Sequence, residues 1–205
     1  MLRHAFNLLR SMRARRPAAV LVLAIVAFAA APASLAAGID PGTLNPVPPD
    51  FYSCSATGSG AICRAHTVDP YEDESTGIFC GDVEILDSGV RDVHATRWYD
   101  QDGNLTRRLR MFLFRDAHLS NPVTGGTLPY SQHNADDEDL GVPGDLASAT
   151  LSSSGHLSIN APGFGPVLVD TGHIVVSPEG DVLARSGVSR LDADALCAAL
   201  GAPNS

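Results

Sequence analysis

Lysine is absent from this chain, and its 14 basic residues are all arginine. Beside the abundance of alanine, glycine and proline, that absence reads as a GC-rich coding bias rather than a binding feature. Aromatic residues make up 6%, with a single tryptophan. No Cys-x-x-Cys pair and no His-Glu-x-x-His occurs, which removes the usual zinc spacings. No Gly-x-Ser-x-Gly occurs, so the sharp serine elbow of a nucleophilic hydrolase is missing. The acidic run Asp136-Asp137-Glu138-Asp139 fails the EF-hand order, because glycine stands where a third ligand belongs. It reads instead as a solvated loop continuing to Asp145. No repeat of solenoid period is present. These absences leave no catalytic residue, no metal ligand and no cofactor assigned.

The strongest positive feature lies at the start. Arg3, Arg10, Arg13, Arg15 and Arg16 precede an apolar run over 18–31, and small residues follow through Ser34 and Ala36. These are the three parts of a secretory signal peptide, and they predict a signal helix over 1–36 cleaved near Ala36. The residue after that site is not cysteine, so no lipoprotein box is formed. The competing reading is a retained anchor, since residues 17–38 are apolar and long enough to span a bilayer. Cleavage removes five arginines and no acid, taking the formal charge from −9 to −14. An acidic exported surface repels nucleic acid and anionic lipid. The expected chain is secreted, with no membrane segment left after cleavage.

Cys54, Cys63, Cys80 and Cys197 are even in number and all follow the signal, which predicts two disulfides. Four cysteines allow three connectivities. A hairpin turning at Gly58-Ser59 sets residues 54 and 63 opposite each other, within reach of a bridge. That favours Cys54–Cys63 with Cys80–Cys197.

Residues 37–50 hold Pro41, Pro46, Pro48 and Pro49 and read as an extended lead-in. A single domain follows over 51–205. Short alternating stretches between turn signals predict a mainly β fold, an antiparallel β-barrel or sandwich. Expected strands include 61–68, one through 79–85, 90–99, 105–115, 128–132, 147–152, 156–160, 167–170, 172–176 and 182–185. The segment 105–119 also fits a helical stripe, but the Asp102-Gly103-Asn104 turn before it favours a returning strand. Asp87-Ser88-Gly89 reads as a turn. One short C-terminal helix is expected over 192–200, capped by Ser189 or Asp192 and ended by Gly201.

Three segments carry a resemblance: Trp98 to Asn104, Asn121-Pro122-Val123-Thr124-Gly125, and Pro162-Gly163-Phe164-Gly165 through Val176. Over roughly residues 78–187 the chain resembles small exported actinobacterial proteins of unknown function. The resemblance implies a lipocalin-like or allene-oxide-cyclase-like β-barrel. It implies no catalytic residues.

The densest local chemistry is arginine. Arg91, Arg97, Arg107, Arg108, Arg110 and Arg115 crowd a short span of an acidic protein. In a hairpin around residues 102–104, Arg91 and Arg97 share one face of the first strand. Arg108 and Arg110 share a face of the return strand. Guanidinium clusters hold carboxylates or phosphates bidentately, and salt bridges to the chain's own acids compete for them. Arg91, Arg97, Trp98, Arg108 and Arg110 are therefore the candidate ligand-binding residues, for a small apolar or anionic ligand, with Tyr99, Phe112 and Phe114 as further aromatic lining. A binding or interaction barrel is the leading expectation. A barrel isomerase or cyclase is the rival, and requires an inward cluster drawn from His94, His118, His156, His173 and the arginines. A secreted protease inhibitor would need residues 55–62 as an exposed rigid loop.

Overall fold

A computed structural model describes residues 38–201. The predicted signal helix, its cleavage site at Ala36 and the rival anchor lie outside those residues. The chain forms β1 (Ser53–Thr57), β2 (Gly60–Cys80), β3 (Val83–Tyr99), β4 (Leu105–Ser120), β5 (Thr127–Pro129), β6 (Ser131–Leu140), β7 (Ala149–Ala161), β8 (Gly165–Val176), β9 (Val182–Leu191) and α1 (Ala193–Ala199). The strands make one antiparallel sheet in the order β1-β2-β3-β4-β6-β7-β8-β9, with β5 pairing β4. Every pairing is antiparallel between chain neighbours, apart from the step from β4 to β6. The fold is mainly β with one short C-terminal helix. The sheet is open: β1 and β9 are its two ends.

Both disulfides form as the hairpin geometry favours. Cys54 and Cys63 face each other across β1 and β2 with Cα atoms 4.0 Å apart. Cys80 joins Cys197 with Cα atoms 5.5 Å apart. No described cysteine is free.

Several expectations change. The expected strands 147–152 and 156–160 are one continuous strand, β7, and 167–170 and 172–176 are one, β8. The strand through 79–85 is a hairpin instead: Cys80 pairs with Val83, and Gly81-Asp82 makes the turn, where Gly81 takes φ +63°. Asp87-Ser88-Gly89 lies inside β3, and the irregularity falls on its neighbours. Asp73 of β2 and Asp116 of β4 both adopt φ 52°, where the register of each pairing slips beside Gly89. A side chain at Gly89 would sit 2.9 Å from Ala117 Cα and 3.0 Å from the Tyr71 hydroxyl. Only glycine permits three strands to cross so closely there. The acidic run 136–139 is not a loop: it is the second half of β6, for reasons given below.

Long strands carry two separate cores. At one end Leu44, Ala61, Cys63, Tyr99 and Leu105 pack together. At the other, Ile85, Leu119, Leu128, Ile159, Val167, Leu196 and Leu200 pack around Cys80 and Cys197. Each fully buried leucine or isoleucine contributes roughly 1.5–3 kcal/mol. The proline-rich lead-in joins the first core: Leu44 is buried, and Asn45 exchanges backbone hydrogen bonds with Gly103 and Leu105. Between the cores the face of the sheet that carries both of them, the inner face, is largely half-buried and mixes arginines and acids with Phe112 and Phe114.

Helix α1 is too short to hold itself in water. Asp192 caps it by accepting from the Ala195 N–H at 3.0 Å. Leu196 and Leu200 are fully buried, and Cys197 is bonded to the end of β2. Packing and the covalent link supply what its length lacks.

Candidate functional site

The register of β3, β4 and β6 answers two puzzles at once. Arg97 lies opposite Arg108, which lies opposite Glu138; Ala95 lies opposite Arg110, which lies opposite Asp136. Opposed residues share a face. Glu138, only 5% exposed, accepts hydrogen bonds from Arg108 Nε and, at 2.9 Å, from Arg110 Nη2. Arg110 also reaches Asp136 at 3.4 Å. On the opposite face Arg107 holds Asp137 bidentately, with Nε donating at 2.8 Å. Acidic residues are poor strand formers, yet here each meets an arginine across the ladder, and cross-strand charge pairs stabilise a sheet. Arg107, Arg108 and Arg110 are therefore paired with the chain's own acidic run.

The five candidate ligand-binding residues are thus divided. Arg97, Arg108 and Arg110 are neighbours on the inner face. Arg91 shares that face farther along β3, paired with Glu74 and lying over the Tyr71 ring at 4.2 Å. Trp98 is on the other face, where Arg107 stacks on it at 4.9 Å. Arg97 alone of the four candidate arginines has no carboxylate partner among the described residues. Its guanidinium lies 4.8 Å from the Tyr52 ring, and its Nε is buried without a hydrogen bond. Phe112 and Phe114 lie on the inner face, with Phe114 edge-on to Tyr71.

Beyond Arg91, the inner face holds a hydrogen-bonded trio. The Tyr130 hydroxyl reaches Asp87 at 2.8 and 2.9 Å and the Tyr71 hydroxyl at 3.1 Å. Burial pushes both phenols above their ordinary range. Burial also raises the Asp87 carboxyl above 3.8, against the hydrogen bonds of Tyr130 and Tyr71, which pull it down. A carboxyl with a raised folded pKa gives stability that is complete below its unfolded value and lost as pH rises through the folded one. Asp87→Asn abolishes that loss. Its stability relative to the native chain, from urea unfolding at a series of pH values, should improve with pH above 3.8 and then level off. A pH-independent difference would refute this assignment.

The histidines assemble differently from the isomerase expectation. His66 lies opposite His94, His133 opposite His156, and Ser154 opposite His173. All five histidines occupy the face opposite the arginine layer. His118 turns away to the Asp116 carbonyl, 3.0 Å from its Nδ1. The inward histidine–arginine cluster is therefore not formed. The inhibitor loop is likewise too small: residues 53–57 pair fully with 60–64, leaving only Gly58 and Ser59 outside the ladder.

The sequence spacing gave no metal site, but the pairing brings His66, Asp92 and His94 together from two strands. The signal was present as Asp92-x-His94 on one alternating strand, and the register that adds His66 is a tertiary fact.

A second feature also escaped the sequence. Asn134, Gly155, Gly172 and Gly187 form one row across β6 to β9. A Cβ at Gly172 would lie 2.2 Å from the Ser186 carbonyl oxygen, and one at Gly187 would lie 2.1 Å from that of Thr171. Glycine alone allows this crowding. A groove of about 340 Å³ follows the row. Its lining mixes hydroxyls (Ser153, Ser189) with the apolar Leu157 and Ile174, and it holds Arg185, Asp170 and the three histidines His133, His156 and His173. Asn134 Oδ1, in that lining, is buried and accepts no hydrogen bond.

No family model matches this chain, and no curated protein or solved structure matches it either.

Proposed function

We propose that this protein is an exported binding module whose groove along the glycine row holds a small polyhydroxylated ligand of about monosaccharide size. The two disulfides and the absence of free cysteine among the described residues fit an oxidising compartment. The predicted signal peptide supplies the export. The groove volume falls within the range of small-molecule sites.

The carrying observation is Asn134 Oδ1, an orphaned acceptor in the groove wall. An unsatisfied buried acceptor costs about 1–3 kcal/mol; Asn134 Oδ1 is closed to solvent as placed, and a rotation of its amide into the groove would let a ligand hydroxyl satisfy it. The hydroxyl and apolar lining suits a ring with C–H faces and O–H edges. Arg185 is offset by Asp170, the three lining histidines add hydrogen-bonding nitrogens, and the few apolar side chains are too scattered for a fatty chain. This moves the expected site from Arg91, Arg97, Trp98, Arg108 and Arg110 to β6–β9.

Asn134→Leu separates binding from stability. The variant is expected to melt higher than the native chain, by the equivalent of about 1 kcal/mol, because the orphan is gone. It should also lose binding. The test is a titration of isotope-labelled protein with glucose, galactose, N-acetylglucosamine, glycine and succinate, followed by amide shifts. Shifts confined to residues 132–134, 153–157, 170–174 and 185–189 with a sugar, absent in the variant, support the reading. Shifts with succinate only, or none with any sugar, would refute it.

A further inference from the structure

We propose that His66, Asp92 and His94 form a binding site for a borderline divalent cation of the zinc type. The backbone builds the tripod. Residues two apart on a strand project from the same face, so Asp92 and His94 emerge together from β3. His66 stands directly opposite His94 on β2, at the distance where cross-strand side chains meet.

The donor atoms converge. His66 Nε2 lies 2.7 Å from Asp92 Oδ1, and His94 Nε2 lies 3.6 Å from the same oxygen. A tetrahedral ion with bonds of 2.0–2.1 Å separates its ligands by roughly 3.3 Å. The two observed spans bracket that value, so small side-chain rotations admit the ion. The imidazole rings are already parallel, 4.3 Å apart and 6° from coplanar. All three donor atoms lie within 4.8 Å of one another.

The surroundings match a metal centre in two further respects. Asp92 is 3% exposed although it sits on the solvent face, and Arg115 holds its second oxygen. That fixes the carboxylate with Oδ1 toward the histidines, as outer partners commonly orient metal ligands. The histidine side chains are 52% and 56% exposed, so an ion has an open approach. Beside them stand Val68 and Leu113, opposite Asp92, and Met111, opposite His94. These three are about half exposed and apolar. Two imidazoles and one carboxylate suit zinc and its first-row neighbours, whereas calcium and magnesium require more oxygens. Three protein ligands leave a fourth position open, the arrangement of a reactive rather than a structural zinc.

The test is calorimetric titration of the protein with Zn²⁺, with Ca²⁺ and Mg²⁺ as comparison ions, and the same titration of His66→Ala, His94→Ala and the double variant. Both histidines are more than half exposed, so the variants are expected to fold; circular dichroism verifies this. The expected result is one Zn²⁺ per chain and no response to Ca²⁺ or Mg²⁺. Each single variant should bind Zn²⁺ at least about tenfold more weakly, since even outer-partner losses cost 10–100-fold. Co²⁺ in place of Zn²⁺ should show the visible bands of a tetrahedral complex, lost in the double variant. Absence of Zn²⁺ binding would overturn the proposal. So would unchanged affinity in the double variant, which would put the ion elsewhere, with His133 and His156 the alternative.

Discussion

Replacing Cys80 and Cys197 together by alanine is expected to lower the free energy of unfolding by about 5 kcal/mol. The two cysteines are 117 positions apart, and the entropy removed from the unfolded chain by a loop of that size is of this order. The Cys54–Cys63 bridge spans 9 positions, and its loss should cost only about 3 kcal/mol on the same scale. The long bridge has a second role. It pins α1 over Ile85, Ile159 and Val167, and a helix of this length does not persist undocked. Thermal unfolding without reductant is the measurement. The long-bridge variant should melt roughly 10–20 °C lower than the native chain, and clearly below the short-bridge variant. Equal losses from the two bridges would refute the entropic account.

The second large effect belongs to Glu138. Glu138→Ala should destabilise the fold by about 3 kcal/mol, because it strands the Arg108 guanidinium in a half-buried site and leaves Arg110 with Asp136 alone. The lower end of the usual range applies, since the Arg108 and Arg110 side chains keep 25% and 38% exposure and solvent screens them. Replacing all three together, Arg108→Met, Glu138→Leu and Arg110→Met, should restore stability to within about 1 kcal/mol of the native chain. That pair of outcomes separates two costs. A large loss in the single variant with recovery in the triple identifies stranded charge. Persistent loss in the triple would show that the ion pairs themselves hold β4 to β6. Urea midpoints at neutral pH decide between them.

The acidic run shows why part of this fold was legible in the sequence and part was not. Residues 90–99 and 105–115 announced a hairpin through alternation and the Asp-Gly-Asn turn, but the register slip between Trp98 and Tyr99, which sets Arg97 opposite Arg108, was not readable. The Cys54–Cys63 hairpin was readable for the same reason: its register is set locally by two turn residues. Residues 136–139 were not readable as a strand, because their intrinsic preference runs against one. What makes them a strand is a line of arginines more than twenty positions earlier. Local rules see each charge run alone, and only the pairing of β4 with β6 shows that they neutralise each other. The candidate sites follow the same division. His66, Asp92 and His94 needed the β2–β3 register, and the glycine row needed three successive registers to bring Gly155, Gly172 and Gly187 into line. Arg91, Arg97, Trp98, Arg108 and Arg110 stood out because they are dense in sequence; Arg91, Arg108 and Arg110 meet acids of the chain, and which acids they meet needed the strand registers.

Strand β9 is exposed at all ten of its positions, yet it supplies one wall of the groove from Arg185 to Ser189. Neither core includes any of its residues. Substitutions there, Gly187 excepted, reshape the groove wall with little penalty to folding. β9 is therefore a wall whose residues can be exchanged repeatedly while the disulfide-tied body stays the same.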